Sequence, residues 1–285
     1  MSIVVTGATG NLGHLVIEAL LEKVPSDQIT AVVRSEQKAA DLAARGVRIA
    51  VADYNASQTY DGILSAGDKV LLISSSEFHK DRVGQHQVVI DAAKAAGVAL
   101  LAYTSAAGSL TAALADDARD TEAAILDSGL PYVLLRNGWY NENYTEQLAP
   151  VLQSNTVTQA AGQGRVASAA RADYAAAAVA VLTGEGRENT TYELNGDTAW
   201  SFAEYAAELS RQSGREIAYN PVSVETYIGI LTGHAGLPEP LAAILGGVEA
   251  SIERGEMAAA SGELSRLTGR PTTPIADSVA AALKG

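Results

Sequence analysis

The chain has 285 residues, a formal charge of −13, no cysteine and 47% hydrophobic residues. That length can bury a large core. The acidity argues against nucleic acid, whose affinity comes mostly from phosphate neutralisation, and the missing thiols exclude disulfides, thiolate metal sites and a cysteine nucleophile.

A short apolar run at Ile3-Val-Val5 leads straight into Gly7, Gly10 and Gly13, and apolar residues at helical spacing follow: Leu12, Leu15, Val16, Ala19, Leu20 and Val24. Strand, glycine turn and helix in that order form the first unit of a dinucleotide-binding fold. Gly7 permits the tight turn, Gly10 lets backbone approach a pyrophosphate, and Gly13 lets helix pack on strand. The helix N-terminus offers unpaired N–H groups to the phosphates. Because the first strand begins at Ile3, no signal-peptide pattern is read. No apolar stretch is long and uncharged enough to span a membrane, and a cytoplasmic location is expected.

After Pro25 and Ser26, Ile29-Thr-Ala-Val-Val33 has the continuous apolar character of a buried parallel strand. It ends at Arg34, about 20 residues beyond the glycines, where NAD-binding folds carry an acid for the ribose 2′-hydroxyl. A guanidinium there pairs with a 2′-phosphate instead. NADP(H) is therefore the expected cofactor, with Lys38 one turn on as a second charge. The overall negative field opposes an anionic ligand, so attraction must be local.

Alternation of strand and helix continues. Val47–Val51 is a third strand ending in Asp53 and Tyr54, and Lys69–Ile73 a fourth ending in Ser74, Ser75 and Ser76. A helix from Val83 to Ala96 stops at Gly97. Ala99–Tyr103 is a fifth strand ending in Thr104 and Ser105. After a helix from Asp117 to Ser128, Tyr132–Arg136 is a sixth, followed by Asn137, Gly138, Trp139 and Tyr140. Ligands of open α/β sheets bind beyond the carboxyl ends of strands, and all these ends are polar or glycine-bearing. The expected fold is α/β: a Rossmann-type doubly wound parallel sheet over residues 1–153, with a returning strand near 190–196. Residues 154–285 form a smaller, mainly helical substrate lobe interwoven with it. Asn155 to Ala170 reads as a hairpin or loop, Arg171 to Leu182 as a helix on which Arg171 and Asp173 pair. His79 and His86 fit packing better than a metal site, given the absence of clustered carboxylates; no metal is expected.

Val5-Thr-Gly-Ala-Thr-Gly-Asn-Leu-Gly13, Leu72-Ile-Ser-Ser-Ser76, Ala92-Ala-Lys-Ala-Ala-Gly97 and Leu134-Leu-Arg-Asn-Gly-Trp-Tyr140 resemble the NmrA-like atypical short-chain dehydrogenases. Within that group the chain is most similar to the bacterial type 2 NADPH:quinone oxidoreductases, with triphenylmethane dye reductases as near relatives. The similarity extends to Arg171-Ala-Asp-Tyr-Ala175 and Tyr192-Glu-Leu194. It implies NADPH held by Gly7, Ala8, Thr9, Gly10, Asn11 and Leu12, by Arg34, by Ser74–Ser76 and by Asn137–Tyr140. Asp53, Tyr54, Thr104 and Ser105, at the neighbouring strand ends, complete the expected cofactor set. The implied reaction is two-electron reduction of a quinone to a hydroquinone.

Ordinary short-chain dehydrogenases place a tyrosine and, four residues later, a lysine after the fifth strand. Here residues 106–126 contain neither, and Glu122 is followed by Ala123. Tyr103 lies on the strand and is expected in the core. Alcohol–ketone chemistry is disfavoured. A quinone spreads the incoming charge over its ring and two oxygens, so it tolerates losing a general acid worth typically 10²–10⁴. No catalytic acid is assigned; the task becomes holding donor and acceptor together. Tyr140 and Tyr144, one turn apart, are candidates to stack a flat aromatic substrate, and Asn137 and Asn143 to hydrogen-bond a carboxamide or quinone oxygen. Two alternatives stay open: a reductase of triphenylmethane dyes or other aromatic acceptors, and a non-catalytic NADP(H)-sensing regulator. A homodimer is also left open.

Overall fold

The computed structural model describes residues 2–77, 81–108 and 112–284, without the side chains of residues 112–114. His79 lies outside the described residues. In chain order the elements of the sheet region are β1 (Ile3–Val5), α1 (Asn11–Leu21), β2 (Ile29–Val33), α2 (Ala40–Ala44), β3 (Arg48–Val51), β4 (Lys69–Ile73), α3 (Arg82–Ala96), β5 (Leu100–Ala106), α4 (Ala112–Ser128) and β6 (Tyr132–Asn137). There follow α5 (Glu142–Thr145), α6 (Leu148–Ser154), β7 (Thr156–Gln159), β8 (Arg165–Val166), α7 (Arg171–Thr183) and β9 (Thr190–Leu194). The chain finishes with β10 (Trp200–Ser201), α8 (Phe202–Ser213), β11 (Ala218–Pro221), α9 (Val224–Gly233), α10 (Glu239–Glu253), α11 (Glu263–Thr268) and α12 (Ile275–Ala282).

The main sheet has seven strands in the order β3-β2-β1-β4-β5-β6-β9. It is a parallel, Rossmann-like sheet, with Val4 beside both Thr30 and Val70. The central strands are mostly apolar because both faces are covered, as a parallel sheet requires: every residue of β1 and β2 is buried, Thr30 being the one polar side chain among them. At the edge the pattern relaxes, and Val51 of β3 is half exposed. Strand order reverses between β1 and β4, so the switch point of the sheet opens at the ends of those two strands. One core joins Val4, Val32, Val70, Leu72, Leu101, Tyr103, Ile125 and Leu134, which sets Tyr103 in the interior as its sequence position suggests. The helix α3 starts on Asp81, whose Oδ1 accepts the Gly84 N–H at 2.8 Å, and stops at Gly97 with φ +66°. Only a residue tolerant of left-handed backbone suits that stop.

The chain divides into two compact units. The first comprises residues 1–106, 116–137 and 174–192; the second comprises residues 107–115, 138–173 and 193–285. Most of α7 therefore belongs with the sheet, and residues 138–153 with the second unit. Within the second unit β7 and β8 do not pair as a hairpin. β7 runs parallel to β11, and β8 is antiparallel to β10. The turn at Gly164 is shaped instead by close packing, since a Cβ there would lie 2.0 Å from the Ile252 carbonyl oxygen. Arg171 and Asp173 do not pair either. Arg171 bonds Glu146 at 2.9 Å, while Asp173 takes Arg270 at 2.7 Å and the Thr273 N–H at 2.8 Å. Residues two apart on a helix point to different faces, so each takes its partner from distant sequence.

Candidate dinucleotide site

The glycine turn is built from backbone. Gly7 adopts φ +61°, its carbonyl accepts the Gly10 N–H at 2.9 Å, and the Ala8 N–H reaches Val32 O at 3.2 Å. A Cβ on Gly13 would sit 2.3 Å from Gly7 O and 2.8 Å from Ala8 Cα, so α1 approaches the turn as closely as a hydrogen atom allows. Gly10 is the N-cap of α1 and brings no side-chain cap, which leaves the first-turn N–H groups open to a phosphate. A dinucleotide pyrophosphate fits this arrangement. Ala8 and Leu12 are buried, whereas Thr9 and Asn11 are not.

Behind the turn, Thr6 Oγ1 contacts Tyr54 Oη at 2.5 Å, and that hydroxyl donates to Ile73 O at 2.8 Å. Tyr54 thus braces the ends of β1 and β4, and its hydroxyl is used in doing so. Burial pushes its pKa up. Asp53 Oδ1 accepts both the backbone and side-chain nitrogens of Asn55, at 2.8 and 2.7 Å, which hold its carboxyl below the usual range.

The Ser74–Ser76 segment is held by two α3 residues. Arg82 donates through Nε to Ser75 O at 2.8 Å and through Nη2 to Ser74 Oγ at 2.8 Å, and Nη1 reaches Asp117 Oδ2 at 3.2 Å. His86 is fully buried; its Nε2 accepts the Ser75 N–H at 2.9 Å and its Nδ1 lies 2.9 Å from Thr121 Oγ1. Since Thr121 Oγ1 donates to Asp117 O at 2.8 Å, the network assigns the neutral Nδ1–H tautomer. Burial, helped by the Arg82 charge, lowers the imidazole to about 3. His86 is a structural pillar of this segment. Ser76 is exposed, whereas Ser75 is buried.

Thr104 and Ser105 point their hydroxyls inward. Thr104 Oγ1 accepts the Ser74 N–H at 2.9 Å, and Ser105 Oγ donates to Glu122 Oε1 at 2.5 Å. Glu122 also takes Arg136 in a fork, Nε at 2.9 Å and Nη2 at 2.7 Å. Asn137 is buried at the end of β6. Arg34 is exposed beyond β2, with Nη1 3.3 Å from Glu77 Oε1, and Lys38 is exposed as well. The glycines, Arg34 and the strand ends are the parts of this candidate site that the sequence points to. It does not point to Arg82, Glu77 and Glu122, whose partners lie up to 43 residues away.

In the second unit, Tyr140 carries the Arg171 guanidinium 5.3 Å from its ring centre. Tyr144 is buried, edge-on to Trp200 and to Phe202 at 5.2 Å each. It is a core ring of this unit, whereas Trp139, Tyr140 and Asn143 are partly exposed. Asn141, fully buried between the residues singled out on either side, ties Ser168, Thr273 and Ser278 together. Glu249 is a buried carboxyl whose Oε2 accepts the Ala160 N–H at 3.0 Å; burial pushes it up to about 8, so it is mostly protonated at neutral pH.

Fold and turn together define a dinucleotide-binding protein. A sequence model of the NAD(P)H-binding family matches residues 7–185, and the chain belongs to that family. Quinone oxidoreductase 2 of Escherichia coli K12 is 46% identical over 279 residues, 97% of each chain. The crystal structure of the E. coli NADPH-dependent quinone oxidoreductase complexed with NADPH superposes with a TM-score of 0.94 at 45% identity, covering 99% of each chain. The Citrobacter triphenylmethane reductase complexed with NADP(H) gives 0.93 at 40% identity, covering 99% of this chain and 100% of that one.

Proposed function

We propose that this chain is an NADPH-dependent quinone reductase that transfers hydride directly to the acceptor. The observation that carries the reading is the end-to-end similarity to a quinone oxidoreductase at 46% identity. It is joined by a glycine turn with an uncapped helix start and by a guanidinium where a 2′-phosphate reader belongs. Bound NADPH supplies two electrons as hydride. The chain's own residues then have three tasks. The Gly7–Leu12 turn holds the pyrophosphate with backbone N–H groups, and Arg34 takes the 2′-phosphate. The Ser74–Ser76 segment, fixed by Arg82 and His86, forms a rigid floor beside the turn. Asn137, the last residue of β6, and Tyr140 and Asn143 beyond it are assigned to the acceptor.

No tyrosine–lysine pair follows β5. Of the polar groups near that strand's end, Ser105 and Arg136 are both committed to Glu122. Water is assigned the protonation of the hydroquinonate, which a charge-delocalised product permits. No helix among the described residues is long and apolar enough to cross a membrane. With no cysteines to oxidise, a cytoplasmic location is the proposed address.

The test is NADPH oxidation with simple quinones, a triphenylmethane dye and a plain ketone, each repeated with NADH. Fast quinone turnover and none with the ketone supports the reading. Turnover with the dye alone moves the acceptor class to that of the Citrobacter relative. Tight dinucleotide binding without turnover on any acceptor refutes an enzyme and favours a sensor.

A further inference from the structure

The guanidinium assigned to the 2′-phosphate has an acidic neighbour built into the fold. Glu77 follows the Ser74–Ser76 segment, and its Oε1 stands 3.3 Å from Arg34 Nη1. The arginine side chain is 69% exposed and the glutamate only 22%. Glu77 is held in place: Oε2 accepts Gln85 Nε2 at 2.7 Å, and its backbone N–H reaches Ser75 Oγ at 3.2 Å. Gln85 is itself buried and also bonds Asn55 Oδ1 at 3.0 Å. Asn55 in turn holds Asp53. Asp53 feels both charges, drawn down by Arg34 and pushed up by Glu77. An exposed arginine thus touches one held carboxylate and lies within the field of a second.

A phosphate monoester carries nearly two negative charges at neutral pH. To pair with Arg34 it must displace Glu77 from the guanidinium or share the fork with it at the cost of like-charge repulsion. A plain ribose 2′-hydroxyl meets no such competition, since it can donate to a carboxylate. We propose that Glu77 is a specificity-determining residue: it competes with the 2′-phosphate for Arg34 and narrows the preference for NADP(H) over NAD(H). This rests on the reading of Arg34 as the phosphate's partner.

The test is calorimetric binding of NADP⁺ and NAD⁺ to the full chain, as wild type, Arg34→Ala, Glu77→Gln and the double variant. The amide keeps the shape of the side chain and an acceptor for Gln85. Glu77→Gln should tighten NADP⁺ about fivefold, the scale of one exposed ion pair, and leave NAD⁺ within about twofold. In the Arg34→Ala background that gain should shrink below about twofold, as coupling through one partner requires. Weaker NADP⁺ binding by Glu77→Gln, no change, or an equal change for both dinucleotides overturns the proposal. So does a gain undiminished without Arg34. If Arg34→Ala weakens both dinucleotides equally, the phosphate reading fails and the proposal with it. If Arg34→Ala is selective while Glu77→Gln is silent, only the proposal fails.

Discussion

His86 makes the stability of this protein acid-sensitive in a calculable way. Its Nε2 accepts the Ser75 N–H, so protonation would set two donors against each other inside a fully buried site. The folded imidazole is held near 3, against about 6.5 in the unfolded chain. A group whose charged form is disfavoured by folding leaves stability intact above the unfolded value. That stability is lost as the pH falls below about 6.5 and levels off near 3. The linkage relation gives a loss of about 2 kcal/mol at pH 5 and about 5 kcal/mol below pH 3. The assay is urea unfolding followed by tryptophan fluorescence at pH 7.5 and pH 5.0, on wild type and His86→Gln. A glutamine can accept from Ser75 and donate to Thr121 without titrating. Acid sensitivity from all other groups is common to both proteins, so the wild type should lose about 2 kcal/mol more than the variant. Parallel pH dependence of the two, or a His86 ring resonance that titrates near pH 6.5, refutes the reasoning.

Gly13→Ala drives a Cβ to within 2.3 Å of one backbone atom and 2.8 Å of another. Neither can yield without rebuilding the turn, so it should cost about 2–4 kcal/mol and abolish dinucleotide binding, measured by thermal shift with and without NADPH. At Glu122, removing one partner and removing all of them should diverge. Glu122→Ala removes the buried acceptor of Ser105 and the carboxylate of the Arg136 fork and should cost about 2 kcal/mol, whereas Glu122→Leu with Arg136→Met and Ser105→Ala should cost about half as much in urea titration.

Much of the sheet was readable because parallel strands buried on both faces leave continuous apolar runs: Ile29–Val33 and Lys69–Ile73 are strands with the bounds the sequence suggests. The glycine turn was readable because its spacing is a steric demand. What stayed hidden depends on partners remote in sequence. Glu142, whose carboxylate takes the Arg171 N–H, and Glu146, which pairs with its guanidinium, lie 29 and 25 residues before Arg171, and Asp173 finds Arg270 and Thr273 about a hundred residues on. Neither association is encoded in local spacing. The strands of Asn155–Ala170 were visible as a change of pattern, but a nearby turn suggested a hairpin where each strand has a distant mate. Tyr140 and Tyr144 share a helical spacing, yet one meets an arginine and the other an aromatic core. Periodicity says which residues share a face, not what that face meets.

The interleaving of the two units has a consequence for synthesis. The outer edge of β6 is complete once residue 137 leaves the ribosome, but the strand that covers it, β9, ends at Leu194. At roughly 5–20 residues per second, the nascent chain carries that bare strand edge for on the order of 3–10 seconds. An uncovered edge is a template for another chain. Neither unit is a continuous stretch of sequence, so any nascent or prematurely stopped product shorter than about two-thirds of the chain lacks a finished sheet.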